Sequence, residues 1–274
     1  MKSVLLCPPT YFDVRDVKNP YMQDADPVDH EKAQDQWEAL RRALGDSGLK
    51  VETIDPVEDL EDMVFAANQV FVGHHEKIGK FIVPSKMRSA SRQREVPFYV
   101  QWFRSQGYKV IELDLTGEYL EGQGDLIWHP DRSKIWAGYG FRSTCGAIEK
   151  FSLAMQDLGF HVMPLQLVDE YCYHLDTCLC PLNNDGALIC PSAYSPESLQ
   201  RIREGWKRVY DLSREEAVQF MCNGIVANGR YITSHLTSSL GDTLQKEGLE
   251  PVIVDTSEFE KSGGSAFCMK SFIE

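Results

Sequence analysis

Apolar residues recur at helical spacing in three long stretches. In "HEKAQDQWEALRRALGDSG", Ala33, Trp37, Leu40 and Leu44 fall three or four residues apart, the spacing that puts them on one face of an amphipathic helix. "EVPFYVQWFRSQG" and "AIEKFSLAMQDLG" share that rhythm. Four stretches then pass from helical rhythm to strand alternation in the same way: "LGDSGLKVETID", "FRSQGYKVIELD", "MQDLGFHVMPLQ" and "LQKEGLEPVIVD". Each places a glycine (Gly48, Gly107, Gly159, Gly248) where a helix ends, the position that favours left-handed backbone. A fainter copy, "IREGWKRVYDLS", surrounds Gly205, and successive glycines lie 43 to 59 residues apart. Five helix–strand units of similar length predict an α/β repeat closing on itself.

Strand pairs are expected between the helices: "MVFAANQVFVG" with "KFIVPS", and "GDLIWHP" with "KIWAGYGF", the second pair joined by a hairpin-like "HPDRSK". "MKSVLLCPPT" reads as a buried first strand, since its apolar run breaks at Pro8-Pro9, too early for a signal-peptide core. No linker or composition shift interrupts the chain, so residues 1–274 are expected to form a single domain. The competing architecture is a doubly wound parallel sheet, but the GxGxxG that usually marks its first turn is missing.

Composition narrows the chemistry. The chain has 274 residues and a formal net charge of -13. That charge disfavours nucleic acid and anionic membrane surfaces as partners and tolerates a small cationic substrate. No apolar run reaches the roughly 18–20 residues that span a bilayer, and the cytoplasm is the expected compartment. Eight cysteines sit mostly in apolar segments, which reads as reduced thiols. No CxxC pair occurs, so no metal site is expected.

Several residues stand out as candidates. "YHLDTCLC" alternates, placing His174, Asp176, Cys178 and Cys180 on one face of an expected strand. Side chains two apart on a strand are roughly 6–7 Å apart, too far for all four to hold one ion. His174 and Asp176 then reach one ligand while the cysteines fill core; an ordinary core histidine is the plainer option. "LEGQGDLIWHP" sets Glu121 and Asp125 on either side of two glycines, as an acidic turn or a ligand site. Asn68 lies in an apolar run expected to be strand, where an unpaired amide is costly. Arg142 follows a Gly-rich strand end, and Arg92 and Arg94 precede a helix. Cys268 follows Gly263-Gly264, either as small apolar filling or as a nucleophile at the tip of a turn. A thiol, a histidine, carboxylates and arginines together suit attack on a planar, cationic, carboxylate-bearing substrate.

The stretches "PPTYFDVRDVKNPYM", "DMVFAAN", "RQREVPF", "EGQGD", "WAGYGFRS", "YHLDTCLCPL" and "GGSAFC" resemble the guanidino-group-modifying enzymes of the pentein fold. These are the arginine deiminases, dimethylarginine dimethylaminohydrolases, amidinotransferases and arginine dihydrolases. The resemblance runs nearly end to end and is strongest to the arginine dihydrolase domain of cyanobacterial proteins, whose ornithine-converting domain is not expected here. It implies a five-bladed α/β propeller with pseudo-five-fold repeats and no cofactor. It makes Cys268 the nucleophile, His174 the general acid/base and Glu121 the supporting carboxylate. It makes Asp176 the guanidinium-binding carboxylate, Arg92 and Arg142 the carboxylate-binding arginines, and Asn19 and Asn68 further substrate contacts. Deiminases usually carry Asp where this chain has Asn68, and dimethylarginine hydrolases usually lack the acid at Asp176 and carry an acidic pair where this chain has Ala67 and Asn68. The expected activity is therefore hydrolysis of free arginine to ornithine, ammonia and CO2. A deiminase, a dimethylarginine hydrolase, an amidinotransferase and a non-catalytic binding module remain the other options, and a homo-oligomer stays open.

Overall fold

The computed structural model describes residues 3–274. Its strands form five three-stranded sheets, each built to one plan. A central strand pairs antiparallel with an inner strand on one side. On the other it pairs parallel with an outer strand, reached through a helix. Gly79–Pro84 lies between Val70–His75 and Lys109–Val110. Lys134–Tyr139 lies between Leu126–Trp128 and His161–Gln166. Gly186–Ile189 lies between Leu179–Pro181 and Arg208–Asp211, and Arg230–Thr233 between Ile225–Ala227 and Glu250–Ile253. The remaining sheet draws on both ends of the described chain: Ser3–Leu6 pairs parallel with Lys50–Thr53 and antiparallel with Lys270–Ile273. This is the five-fold α/β repeat expected of a pentein. Met1 and Lys2, part of the expected first strand, lie outside the described residues.

The crossover helices follow the apolar periodicity. His30–Asp46 starts at Asp29, whose side chain accepts a hydrogen bond from the Lys32 N–H, one of the orphan donors of a first turn. It buries Ala33, Trp37, Leu40 and Leu44 against Val4 and Leu6 of the adjoining sheet. Val96–Ser105 and Cys145–Gln156 bury Phe103 and Phe151 in the same way. Among the described residues no helix is long and apolar enough to cross a membrane.

Four of the five junction glycines adopt left-handed backbone, with φ between 69° and 81° at Gly48, Gly107, Gly159 and Gly248. Gly205 differs. It is the last residue of Pro196–Gly205 and lacks positive φ; a Cβ there would meet the Trp136 ring at 2.3 Å. Its lack of a side chain serves close packing rather than a turn.

Two expected strands are corrected. "YHLDTCLC" is not one strand: His174 precedes a single helical turn, Leu175–Thr177, and only Leu179–Pro181 is extended. The alternation therefore does not place His174, Asp176, Cys178 and Cys180 on a common face. Asn68 lies in the turn before Val70–His75 rather than inside a strand.

Candidate active site

Turns and short helices between the strands carry the polar side chains that meet at one cavity. Glu121 opens the one-turn helix Gly122–Asp125, and Gly122 (φ 47°) has no room for a Cβ, which would meet Asn68 O at 2.6 Å. This close approach sinks Glu121 to zero exposure. Its Oε2 accepts from His174 Nε2 at 2.8 Å and Arg142 Nη1 at 3.1 Å, and its Oε1 from the Arg88 N–H at 2.9 Å. Burial alone would raise its pKa; the Arg142 guanidinium and His174 outweigh burial and hold the carboxyl well below the ordinary range.

Asp125, one turn on, supports the loop that carries His174. Its Oδ1 accepts from the Leu175 N–H at 3.1 Å, and its Oδ2 from Ser143 Oγ at 2.6 Å and the Ser143 N–H at 3.2 Å. Burial raises its pKa to about 6. The Leu175 bond gives the physical reason for the missing strand: the backbone at 174–175 is held by a carboxylate instead of by a sheet neighbour.

Cys268 sits two residues before Lys270–Ile273. Gly263 (φ 86°) turns the chain toward it, and a Cβ on Gly264 would strike Phe65 at 2.4 Å and crowd Cys268 Cβ at 3.2 Å. The thiol donates to Asp176 Oδ2 at 3.1 Å, and Asn223 Nδ2 donates to the sulfur at 3.2 Å. Burial, then Asp176, pushes the Cys268 thiol well up. Burial also lifts Asp176 to about 7, and its Oδ1 has no partner among the described residues.

On the opposite wall, Arg92 occupies the short helix Ala90–Gln93 and is buried. It contacts Glu95 at 3.1 Å through Nη2 and donates from Nη1 to Asn68 Oδ1 at 2.9 Å. Arg94 is exposed and bonds the Asp59 carbonyl, so Arg92 is the inward member of the pair. Glu95 is raised to about 7 by burial, against the pull of Arg92. Asn19 caps Pro20–Met22 and donates to the Ser262 carbonyl at 2.9 Å. Arg142 lies over the Tyr173 ring, 4.7 Å from its centroid, and donates to the Lys18 carbonyl.

Asn19, Asn68, Arg92, Arg142, His174 and Cys268 line one small cavity. Glu121 and Asp176 stand behind it, bonded to His174 and Cys268. The eight residues to which the resemblance gives roles are thus gathered at one place, whereas Arg94, Cys178 and Cys180 are not among those lining it. Among the other lining residues, Lys18, Asp62 and Tyr173 were missed; Lys18 Nζ contacts Asp62 at 3.1 Å and Glu61 at 3.2 Å. Asn223 was missed as well, although an amide in the apolar run "MCNGIV" carries the same signal as Asn68. A larger cavity, bordered by Trp128, Arg132, Phe267 and Phe272, is lined by Cys180 but by none of the residues to which the resemblance gives roles. Cys178 and Cys180 are buried and do not line the small cavity.

Known proteins resemble this chain in sequence and fold. The bifunctional arginine dihydrolase/ornithine cyclodeaminase AgrE of Nostoc is 33% identical over 270 residues, which is 97% of this chain and 37% of that protein. The chain therefore spans little more than a third of that relative. The N(G),N(G)-dimethylarginine dimethylaminohydrolase of Mycobacterium tuberculosis is 33% identical, covering 96% of this chain and 83% of that one. Among solved structures, the N-terminal domain of ArgZ, a cyanobacterial arginine dihydrolase crystallised with substrate as a cysteine-to-serine mutant, superposes with a TM-score of 0.92 at 31% identity. That match covers 100% of this chain and 98% of the other. A dimethylarginine dimethylaminohydrolase adduct, at TM-score 0.78 and 20% identity, shares the fold. The family model described as "N,N dimethylarginine dimethylhydrolase, eukaryotic" matches residues 8–273, and with this agreement of sequence and fold the chain belongs to that family of guanidino-modifying penteins.

Proposed function

We propose that residues 1–274 act as one catalytic unit that hydrolyses the guanidino group of free arginine, with Cys268 as nucleophile, to ornithine, two ammonia and CO2. Asp176 and Glu121 face the cationic guanidinium, and Asn19, Arg92 and Arg142 hold the amino-acid end. The bound cation favours loss of the Cys268 thiol proton, which His174 takes up. The thiolate attacks the guanidinium carbon, and His174 hands a proton to the departing ammonia. His174 then takes a proton from water, which adds to the carbon and releases the sulfur, leaving a ureido group. A second attack expels the second ammonia, and a second water frees a carbamate that loses CO2. Two waters are consumed, and the atoms balance.

The observation that carries the dihydrolase reading is Asn68. Its Oδ1 accepts from Arg92 Nη1, which settles the amide orientation, since the opposite flip would set N–H groups against a guanidinium. Nδ2 is then aimed elsewhere, buried and without a partner among the described residues. A neutral ureido oxygen accepts from such a donor, whereas a carboxylate at this position favours the cation alone. The test is mass spectrometry of arginine products over time. Wild type is expected to yield ornithine, and Asn68→Asp to stop at citrulline. Citrulline as the sole wild-type product would leave a deiminase, and release of dimethylamine from dimethylarginine without reaction of arginine would leave a dimethylarginine hydrolase.

A further inference from the structure

Asn223 is fully buried, and each polar atom of its side chain is committed to the segments that carry the thiol. Oδ1 accepts from the Cys268 N–H at 3.2 Å. Nδ2 donates to Cys268 Sγ at 3.2 Å and to the Asp176 carbonyl at 3.0 Å. Its backbone carbonyl accepts from the Phe267 N–H at 2.9 Å, and its N–H donates to the Phe220 carbonyl at 2.8 Å. Phe220 has φ of 59°, a conformation that a bulky residue adopts only when its surroundings hold it there. The turn before Ile225–Ala227 is thereby shaped to present one amide to two neighbouring units of the repeat: the segment entering Lys270–Ile273 and the turn of Asp176.

We propose that Asn223 is the positioning residue of the Cys268 nucleophile: it sets the direction of the sulfur and keeps an N–H on it while negative charge develops. This rests on the proposed function only in taking Cys268 as the attacking group. The thiol proton is directed at Asp176 Oδ2. Once that proton is lost, the same contact sets sulfur and carboxylate against each other. The Asn223 N–H then becomes a hydrogen bond to a charged group, which is stronger than one between neutral groups. A buried amide present only to satisfy backbone groups would need no bond to sulfur.

Asn223→Asp keeps the shape and the acceptor for the Cys268 N–H but replaces the donor on sulfur with a carboxylate oxygen. Asn223→Ala removes both without adding charge. In each folded variant, checked by circular dichroism, the rate of alkylation by iodoacetamide is followed against pH on the peptide carrying Cys268. The expected result is a midpoint at higher pH in both variants, by about one pH unit or more in Asn223→Asp. A fall in kcat of about tenfold to a hundredfold, with KM nearly unchanged, is expected alongside. A wild-type midpoint in a folded variant overturns the proposal whatever the activity does. Alkylation needs no guanidino substrate, so a protein inert toward arginine would sink the proposed function and leave this test intact. Should Asn223→Asp fail to fold, Asn223→Ala decides.

Discussion

Two carboxylates at the cavity, Glu121 and Asp176, have the same burial and opposite proton affinities. Glu121 receives a guanidinium, an imidazole N–H and a backbone N–H and stays ionised. Asp176 receives a thiol on one oxygen and, among the described residues, nothing on the other, and burial lifts it to about 7. Burial alone does not decide the charge of a carboxylate; the number and kind of donors do. The Glu121 wall is a finished electrostatic unit that fixes His174. The Asp176 wall is left open, and a guanidinium placed there would supply the missing donors.

Removing the thiol erases the chemistry of the open wall. Cys268→Ala should cost three or more orders of magnitude in ammonia release, on the order of other lost nucleophiles, with the circular dichroism spectrum unchanged. A folded variant that keeps more than about a tenth of the activity would disprove the nucleophile assignment. Glu121→Gln breaks the finished wall. It leaves Arg142 buried beside an amide and loosens His174, and kcat should fall about 10²–10⁴-fold, the range of a lost acid–base group; a loss confined to KM would show that Glu121 only binds. Agmatine, which lacks the α-carboxylate, tests the arginines at the other end of the substrate. Its kcat/KM should be about a hundredfold lower than that of arginine, and equal values would remove Arg92 and Arg142 from substrate binding.

The smallest effect concerns Lys270, whose ammonium group is fully buried without a hydrogen-bond partner among the described residues. It lies 4.2 Å from the Phe272 ring centroid and closer still to that of Phe267. Burial lowers it to about 7, against the pull of Asp176. Between that value and its ordinary one near 10.4, the unfolded chain binds a proton that the folded chain does not, so Lys270 makes stability rise with pH across this window. Asp176 acts oppositely: from its ordinary range up to about 7 the folded chain holds the extra proton, and stability falls as pH rises. Lys270→Met should raise unfolding stability by about 1–3 kcal/mol at pH 7 and flatten its rise between pH 7 and 10 in urea titrations. An unchanged slope would show that Lys270 is not the group responsible.

The repeat was legible because helix C-terminal chemistry is local: Gly48, Gly107, Gly159 and Gly248 announce their turns within a few residues. The pairing of Ser3–Leu6 with Lys270–Ile273 was not, because nothing near either strand names its partner. The alternation in "YHLDTCLC" misled for a related reason. Whether such a pattern becomes strand depends on a neighbouring edge, and at 174–175 the neighbour is the Asp125 carboxylate. Polar residues in apolar or glycine-rich runs identified most of the site. Of the buried ion pairs that sort these residues, Arg92 with Glu95 is local, three residues apart, whereas Arg142 with Glu121 joins positions on either side of a strand pair, which no short stretch reveals.

The sheet shared by the two ends of the described chain also bears on how the protein folds. Four sheets are assembled from strands within one stretch of 29 to 41 residues, but the fifth must close a loop spanning nearly all the described residues, the slowest kind of contact to form. Its late strand, Lys270–Ile273, begins two residues after Cys268. During synthesis the other units can pair while that segment has yet to emerge, so the thiol reaches Asp176 and Asn223 only as the long-range sheet is completed. A growing chain therefore lacks the thiol at its central cavity until then, and gains that thiol and the long-range sheet in the same event.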